Sequence, residues 1–419
     1  MYSGKKGLRC RVCTGCGLCP GVTPEGSAAG KIHVLTENAC IGQSREKGAI
    51  TGGAEGRDLV AVADLGTTTI AMLLYDEDGL VKDRYVAVNP QITYGADVIS
   101  RIRAAENREK AEELCRLVRG VLEQGLNRFI KQLTKGENLQ LVLAANTTMT
   151  YLLMGWDTSE LGCAPFRASK LSAAETSLCG VPCFIFPGLS AFVGGDITAG
   201  ILACGMAEKE EVTLLVDLGT NGEIVLGNRD KRIACATAAG PAFEGGVNRG
   251  VWGADMVSFL ATLKREGLLD ETGLLAEQYF ESGVSIGNVL VTQEAVRSVQ
   301  LAKAAIAAGI EILLKKYGVK AEQVDRVVLA GGFGYYLKPE DAAEIGLLPK
   351  ELVNRAVAGG NTALLGAKKV GFAMRDEKSG RLEVMGKLER LREGTCCINL
   401  AEEADFGERY VNRLELKSR

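Results

Sequence analysis

One phrase occurs twice in this chain of 419 residues. Residues 59–76 read LVAVADLGTTTIAMLLYD, and residues 212–228 read VTLLVDLGTNGEIVLGN. Each is an apolar, β-branched run ending in Asp-Leu-Gly-Thr, followed by a second apolar run. A short apolar run, a glycine-bearing turn and another run predict a β-hairpin. Two such hairpins 153 residues apart predict an internal duplication. The turns predict chemistry as well. Glycine lets the backbone approach an anion, consecutive N–H groups make a concave nest, and threonine hydroxyls add donors. An aspartate at the strand end can hold hydrated Mg2+ against phosphates. Asp64 with Gly66, Thr67, Thr68 and Thr69, and Asp217 with Gly219, Thr220 and Asn221, are therefore expected to clamp a polyphosphate from two sides.

The rest of the chain fits an α/β protein rich in tight turns, with 52 glycines and 5% aromatics. VGGDITAGILACGM (193–206) reads as a small-residue helix opening near Asp196. AAGPAFEGGVNRG (238–250), with Gly240, is a glycine-rich loop. Residues 292–318 carry helical periodicity and end in Lys-Lys before Gly318. VDRVVLAGGFGYYL (324–337) is a buried strand followed by Gly331, Gly332 and Phe333, where a nucleoside could pack on bare backbone. The net charge of −3 gives no basic field for nucleic acid. No apolar run reaches the roughly 18 residues of a membrane span. A cytoplasmic location, where thiols stay reduced, is expected.

The N-terminus poses a separate problem. In CRVCTGCGLCPG (10–21), Cys10, Cys13, Cys16 and Cys19 fall at every third position, and Cys40 follows. Structural zinc wants two knuckles a dozen or more residues apart, but here Thr14 and Gly15 alone separate them. The spacing is closer to iron–sulfur runs. Three of these thiolates could cap a [4Fe–4S] cubane, with Cys19 or Cys40 as the fourth ligand. Cys10, Cys16, Cys19 and Cys40 also fit a [2Fe–2S] pattern, and a zinc module is the remaining reading. His33, the one histidine, is a poor ligand candidate. Cys115, Cys163, Cys204 and Cys235 stand singly and read as small buried hydrophobes. Core packing is also expected of the adjacent pair Cys396 and Cys397.

In this order the motifs resemble the actin, Hsp70 and sugar-kinase ATPase superfamily over roughly residues 58–375. Residues 64–69 match its first phosphate motif, 217–221 its second and 331–334 its adenosine motif. Asp196 and GNTALLGAKKVG (360–371) match its two connecting helices. Closer still is the resemblance to reductive activators of corrinoid-dependent enzymes, carried by VNPQITYGADVISRI, AANTTMTYLLMG, PGLSAFVGGDITAGILA, ATAAGPAFEGG and FGERYVNRLEL. Those activators usually carry a fuller ferredoxin-like domain than the forty residues that hold the cysteines here.

The resemblance implies a duplicated ribonuclease H-like ATPase. Residues 1–50 would form the iron–sulfur segment and linker, 58–207 and 208–375 the two ATPase subdomains, and 376–419 a C-terminal segment packed on that body. It implies ATP, Mg2+ and an iron–sulfur cluster as cofactors, an upstream low-potential electron donor, and a corrinoid protein or corrinoid-dependent methyltransferase as acceptor, returned from Co(II) to Co(I). A homodimer fits the family's habit. Asp196 is the candidate to orient the attacking water, while Glu223 and Glu244 are expected to be structural. Rival expectations are an activator of 2-hydroxyacyl-CoA dehydratases, a small-molecule kinase, and a non-redox ATPase scaffold with a zinc module. The stretch 89–102 and the loop around Cys163 are candidate partner surfaces.

Overall fold

The computed structural model describes residues 58–219, 221–238, 253–287, 289–375 and 377–418. Two six-stranded sheets dominate. The first contains β1 (Asp58–Leu65), β2 (Thr69–Tyr75), β3 (Val81–Val88), β4 (Asn138–Ala145), β5 (Ala174–Leu178) and β6 (Val181–Ile185), in the order β3-β2-β1-β4-β6-β5. The second starts with β7 (Thr213–Leu218), β8 (Gly222–Gly227) and β9 (Arg232–Thr237). A separate hairpin, β10 (Val284–Ile286) and β11 (Val289–Val291), comes next in the chain. Then β12 (Arg326–Ala330), β13 (Ala356–Gly360) and β14 (Thr395–Cys397) complete the second sheet, in the order β13-β12-β7-β8-β9-β14.

The two sheets repeat one topology. β1-β2-β3 and β7-β8-β9 are antiparallel meanders. β4 then β6, and β12 then β13, extend β1 and β7 in parallel. The duplication read from the two DLGT phrases is thus present in the strand order. Each sheet adds one edge strand of its own, β5 antiparallel to β6 and β14 parallel to β9.

The helices are α1 (Val98–Ala105), α2 (Arg108–Ile130), α3 (Thr147–Met154), α4 (Ser159–Gly162), α5 (Gly195–Cys204), α6 (Gly253–Arg265), α7 (Gln293–Tyr317), α8 (Gly331–Gly334), α9 (Pro339–Glu344), α10 (Thr362–Ala373), α11 (Glu377–Glu393) and α12 (Phe406–Asn412). The helix expected at 292–318 is α7. The Thr292 hydroxyl oxygen accepts from Ala295 N–H at its start, and Gly318 closes it in the left-handed region at φ +88°.

Side-chain alternation along β1 explains how both faces of its sheet are filled. Leu59, Ala61, Ala63 and Leu65 enter a core with Leu114, Val118 and Leu122 of α2, whereas Val60 and Val62 enter a core shared by both sheets. That shared core is built around α5 and α10. A Cβ on Gly366 of α10 would lie 2.1 Å from the Ala199 carbonyl oxygen of α5, so the two helices cross backbone to backbone. The α10 helix belongs to the second half of the chain yet packs on the first sheet. A Cβ on Gly371 would meet Val60 at 2.4 Å, and Gln140 Nε2 of β4 donates to the Gly371 carbonyl at 2.8 Å.

The C-terminal part contacts the second sheet and α7. β14 pairs with β9, Lys315 meets Asp405 at 2.7 Å, and Arg409 meets Glu311 at 3.0 Å. Cys204 and Cys235 are buried, as expected of small hydrophobes. Cys163 instead is exposed, and Cys115 is half-buried with its thiol donating to the Leu153 carbonyl. Cys396 is exposed and Cys397 partly buried, since neighbours on a strand face opposite ways. No helix among the described residues is long and apolar enough to cross a membrane.

Candidate active site

Four carboxylates converge where the two halves meet. Asp64 ends β1 and Asp217 ends β7, at equivalent places in the two meanders. Asp196 lies in the first turn of α5, where its Oδ1 accepts from Ile197 N–H at 2.8 Å. Glu223, on β8, stands directly across from Asp217 in the strand register and is 8% exposed. Burial pushes Asp64 up to about 6, and a hydrogen bond from Asn361 opposes that. Asp196 is pushed up to about 7 by burial and then by the Asp64 charge. Asp217 reaches about 8 through burial and the charges of Asp196 and Asp64. Glu223 sits well above the ordinary carboxylate range through burial, Asp196 and Asp217. Each group raises the next, so the cluster is one electrostatic unit. Among the described residues, no lysine or arginine is a leading cause of these shifts.

The turn after Asp64 is tightly braced. Gly66 N–H donates to the Thr69 carbonyl at 3.0 Å, and a Cβ at Gly66 would sit 2.8 Å from that same oxygen. Asn89 holds the turn from outside: its N–H donates to the Thr68 carbonyl and its Nδ2 to the Gly66 carbonyl. Asn146 caps α3 through Oδ1 and donates from Nδ2 to Thr67 Oγ1 at 3.0 Å, which leaves the Thr67 hydroxyl proton free to point elsewhere. In the second turn, Gly219 N–H donates to the Asn221 carbonyl at 2.9 Å, and the Asn221 side chain hydrogen-bonds Glu223.

The glycine pair after β12 reaches the same point. Gly331, at φ +82°, packs so closely that a Cβ would meet the Leu218 carbonyl at 2.5 Å and Asp217 Oδ1 at 2.6 Å. Gly332 has open space where a Cβ would go. Phe333 turns its ring into the core and offers a ligand only its backbone. Thr220, Gly240, Glu244, His33 and the five cysteines Cys10, Cys13, Cys16, Cys19 and Cys40 lie outside the described residues.

Three site residues escaped the reading of the sequence. Asn361 accepts from Leu364 N–H as the N-cap of α10 and donates from Nδ2 to Asp64 Oδ2 at 2.6 Å. Asn146 plays the same double part at the first turn, and Asn89 braces it. The signal was present: an asparagine just before a helix is a favoured N-cap, and an N-cap amide has a second hand free. The stretch 89–102, a candidate partner surface, has a buried side as well as exposed residues such as Ile92, at 37%. Asn89, Gln91 and Arg101 are fully buried there, with Arg101 Nε donating to the Gly95 carbonyl and Gln91 Nε2 to the Leu114 carbonyl.

Among the described residues, no three carboxylate, thiolate or imidazole groups are close enough to hold a metal ion jointly. The donor set nevertheless suits a hard divalent cation held through water, which would offset mutual repulsion among buried carboxylates. Such a cation would shield charge on a bound polyphosphate.

Two family profiles cover this fold. One, described as the RACo middle region, matches residues 59–209, and the other, the C-terminal domain of RACo, the ASKHA domain, matches 211–251 and 246–419. The chain belongs to the RACo family. The first sheet with α5 is what the family counts as its middle region, and the second sheet lies in its ASKHA domain. Among RACo-like relatives, the corrinoid activation enzyme RamQ of Eubacterium limosum is 31% identical over 83% of this chain and 68% of its own length. The [Co(II) methylated amine-specific corrinoid protein] reductase of Methanosarcina barkeri is 24% identical over 58% of this chain and 56% of its own. A solved structure of a reductive activator for corrinoid, iron-sulfur protein superposes with a TM-score of 0.76 at 29% identity, covering 88% of this chain and 67% of that one.

Proposed function

We propose that this RACo-family protein is an ATP-dependent reductive activator. It passes a low-potential electron from an N-terminal iron–sulfur cluster to a corrinoid protein and returns cobalt from Co(II) to Co(I). The observation that carries this reading is the likeness, across most of the chain, to relatives named for corrinoid activation, joined to a buried carboxylate cluster beside two phosphate-type turns. The N–H groups and hydroxyls around Gly66 and Gly219 hold the phosphates. Asp64 and Asp217 would hold hydrated Mg2+, which would supply positive charge to shield the phosphates. Asp196, with its raised proton affinity, orients the attacking water and accepts its proton. Hydrolysis alters how the halves sit about the α5–α10 crossing, and the acceptor is favoured in one nucleotide state over the other. Cys10, Cys13, Cys16, Cys19 and Cys40 would supply the thiolates of an iron–sulfur cluster, four of which suffice for a [4Fe–4S] centre, and that group would carry the low-potential electron.

The test is anaerobic iron and acid-labile sulfide analysis with EPR of the dithionite-reduced protein, repeated on Cys16→Ser and Cys40→Ser. The same preparations are then given ATP and a Co(II) corrinoid protein while Co(I) absorbance is followed. A cubane-type signal weakened in both variants, with ATP-dependent Co(I) formation lost alongside it, is the expected result. Stoichiometric zinc without iron would overturn the electron-transfer reading.

A further inference from the structure

The connection between α6 and α7 has a charge pattern unlike the rest of the chain. From Glu266 to Val296 it holds six acids, Glu266, Asp270, Glu271, Glu277, Glu281 and Glu294, and no lysine or arginine. It also exposes large apolar side chains: Leu274 is 43% exposed, Phe280 44% and Leu290 53%. The local fold brings the two properties together. Gly273, at φ +83°, turns the chain onto α7, where Gln293 Oε1 accepts from Leu275 N–H and Gln293 Nε2 donates to the Gly273 carbonyl. A short 3-10 turn over Glu277–Tyr279 follows, so Glu277, Phe280 and Glu281 stand at i, i+3 and i+4 on one side. The result is a cavity of about 550 Å3 lined by Leu268, Leu274, Leu275 and Phe280, with Asp270, Glu277 and Glu281 also on its wall. Glu277 and Glu281 form no ion pair with any described residue, whereas Glu271 is already paired with Lys417 at 3.3 Å.

A groove of this kind wants a segment that alternates apolar and basic side chains. The chain contains one. Residues 4–12 read GKKGLRCRV: Lys5, Lys6, Arg9 and Arg11 surround Leu8 and Val12. Over residues 1–57 eight lysines and arginines face four acids, although the whole chain carries −3. Forty-five residues separate Val12 from Asp58 at the start of β1. With Cys13 and Cys40 held in one cluster, the tether to Asp58 is residues 41–57, and those seventeen residues can span up to roughly 60 Å.

We propose that residues 4–12 of the same chain dock in the acid-walled apolar groove at residues 267–281. Leu8 and Val12 fill the pocket beside Leu274 and Phe280, and the flanking bases meet Glu277 and Glu281. This contact parks Cys10, the first cysteine of the run, against the ASKHA half, and it does not depend on what the final electron acceptor is.

The experiment is zero-length carbodiimide cross-linking of the full-length, anaerobically isolated protein, without acceptor, read by peptide mass spectrometry. An equal mixture of 14N and 15N chains separates links within one chain from links between two. Isotopically pure links from Lys5 or Lys6 to Glu277 or Glu281 are expected, and they should vanish in 1 M salt, where the Debye length falls to about 3 Å. Phe280→Ser leaves both carboxylates in place and should lower the yield several-fold with ATP hydrolysis unchanged; Leu274→Ser is the second variant if the first fails to fold. Links that mix isotopes would assign the groove to a second copy and overturn the proposal. So would Lys5 and Lys6 joining other carboxylates, or a yield indifferent to both apolar variants.

Discussion

Asp64 and Asn361 stand 297 residues apart in the chain and are joined by a 2.6 Å hydrogen bond. One end of that bond closes the first phosphate hairpin; the other caps α10, the second half's helix on the first sheet. The helix position and the orientation of the carboxylate are therefore one degree of freedom. Asn361→Ala removes a cap worth about 1 kcal/mol and a hydrogen bond to a charged group worth about 1.5–3 kcal/mol. ATP hydrolysis should fall roughly 10- to 100-fold, with a lowered melting temperature. Steady-state ATPase assays and thermal melts check this, and wild-type turnover in a folded variant would refute the coupling.

Asp196→Asn keeps the size of the side chain and an acceptor for Ile197 N–H while removing the charge. Hydrolysis should drop by roughly 10²- to 10⁴-fold, with nucleotide affinity within a few-fold of wild type by calorimetry. Lost binding with an unchanged turnover number would assign Asp196 a purely structural part.

Stability should depend on pH in an unusual direction. Asp64, Asp196 and Asp217 hold protons up to about 6, 7 and 8 in the folded state, against 3.8 for the ordinary group. The folded protein thus binds more protons than the unfolded chain between those limits, and stability falls as pH rises. This contribution is complete below about pH 4 and is lost step by step as the pH passes 6, 7 and 8. Melting temperatures of the metal- and nucleotide-free protein across pH 5–9 should show the decline, less steeply once Mg2+ and nucleotide are added. A flat profile would mean the carboxylates are not mutually strained.

Gly366→Ala tests the helix crossing. The new methyl would lie 2.1 Å from the Ala199 carbonyl, a backbone atom that cannot swing aside. A loss of about 1–3 kcal/mol in denaturant titration is expected for such overpacking, with hydrolysis falling because α5 carries Asp196. Gly386→Ala, on α11, is the control: the nearest atom to its added methyl is the Arg390 guanidinium at 3.4 Å.

Local signals made much of this fold legible. The hairpins at Asp64 and Asp217 follow from short apolar runs around a glycine turn, and α7 from 3.6-residue periodicity with a Gly318 stop. Long-range partners were not legible. Nothing beside Asn361 announces Asp64, since a capping amide looks alike whether its free hand meets water or a carboxylate. The burial of Asn89, Gln91 and Arg101 was equally silent, because hydropathy treats polar side chains as outward-facing, whereas these are buried with hydrogen bonds of their own. Cys163 shows the reverse error, a residue usually buried that here lies on a surface loop.

The contact between Gly366 and Ala199 gives the molecule an axle made of main chain. Only main chain meets at that point, with buried side chains such as Ile197, Leu202, Leu364 and Val370 packed around it, so a turn of one half on the other would pivot where the backbones touch. Displacement in a rotation grows with distance from its axis. The carboxylates, set near the crossing by α5 and by the α10 cap, would shift least, while an edge strand such as β14, three places out from β7, would sweep a wider arc. A small change at the carboxylate cluster would thereby be geared up into a larger movement at the rim, where a docked protein would feel it.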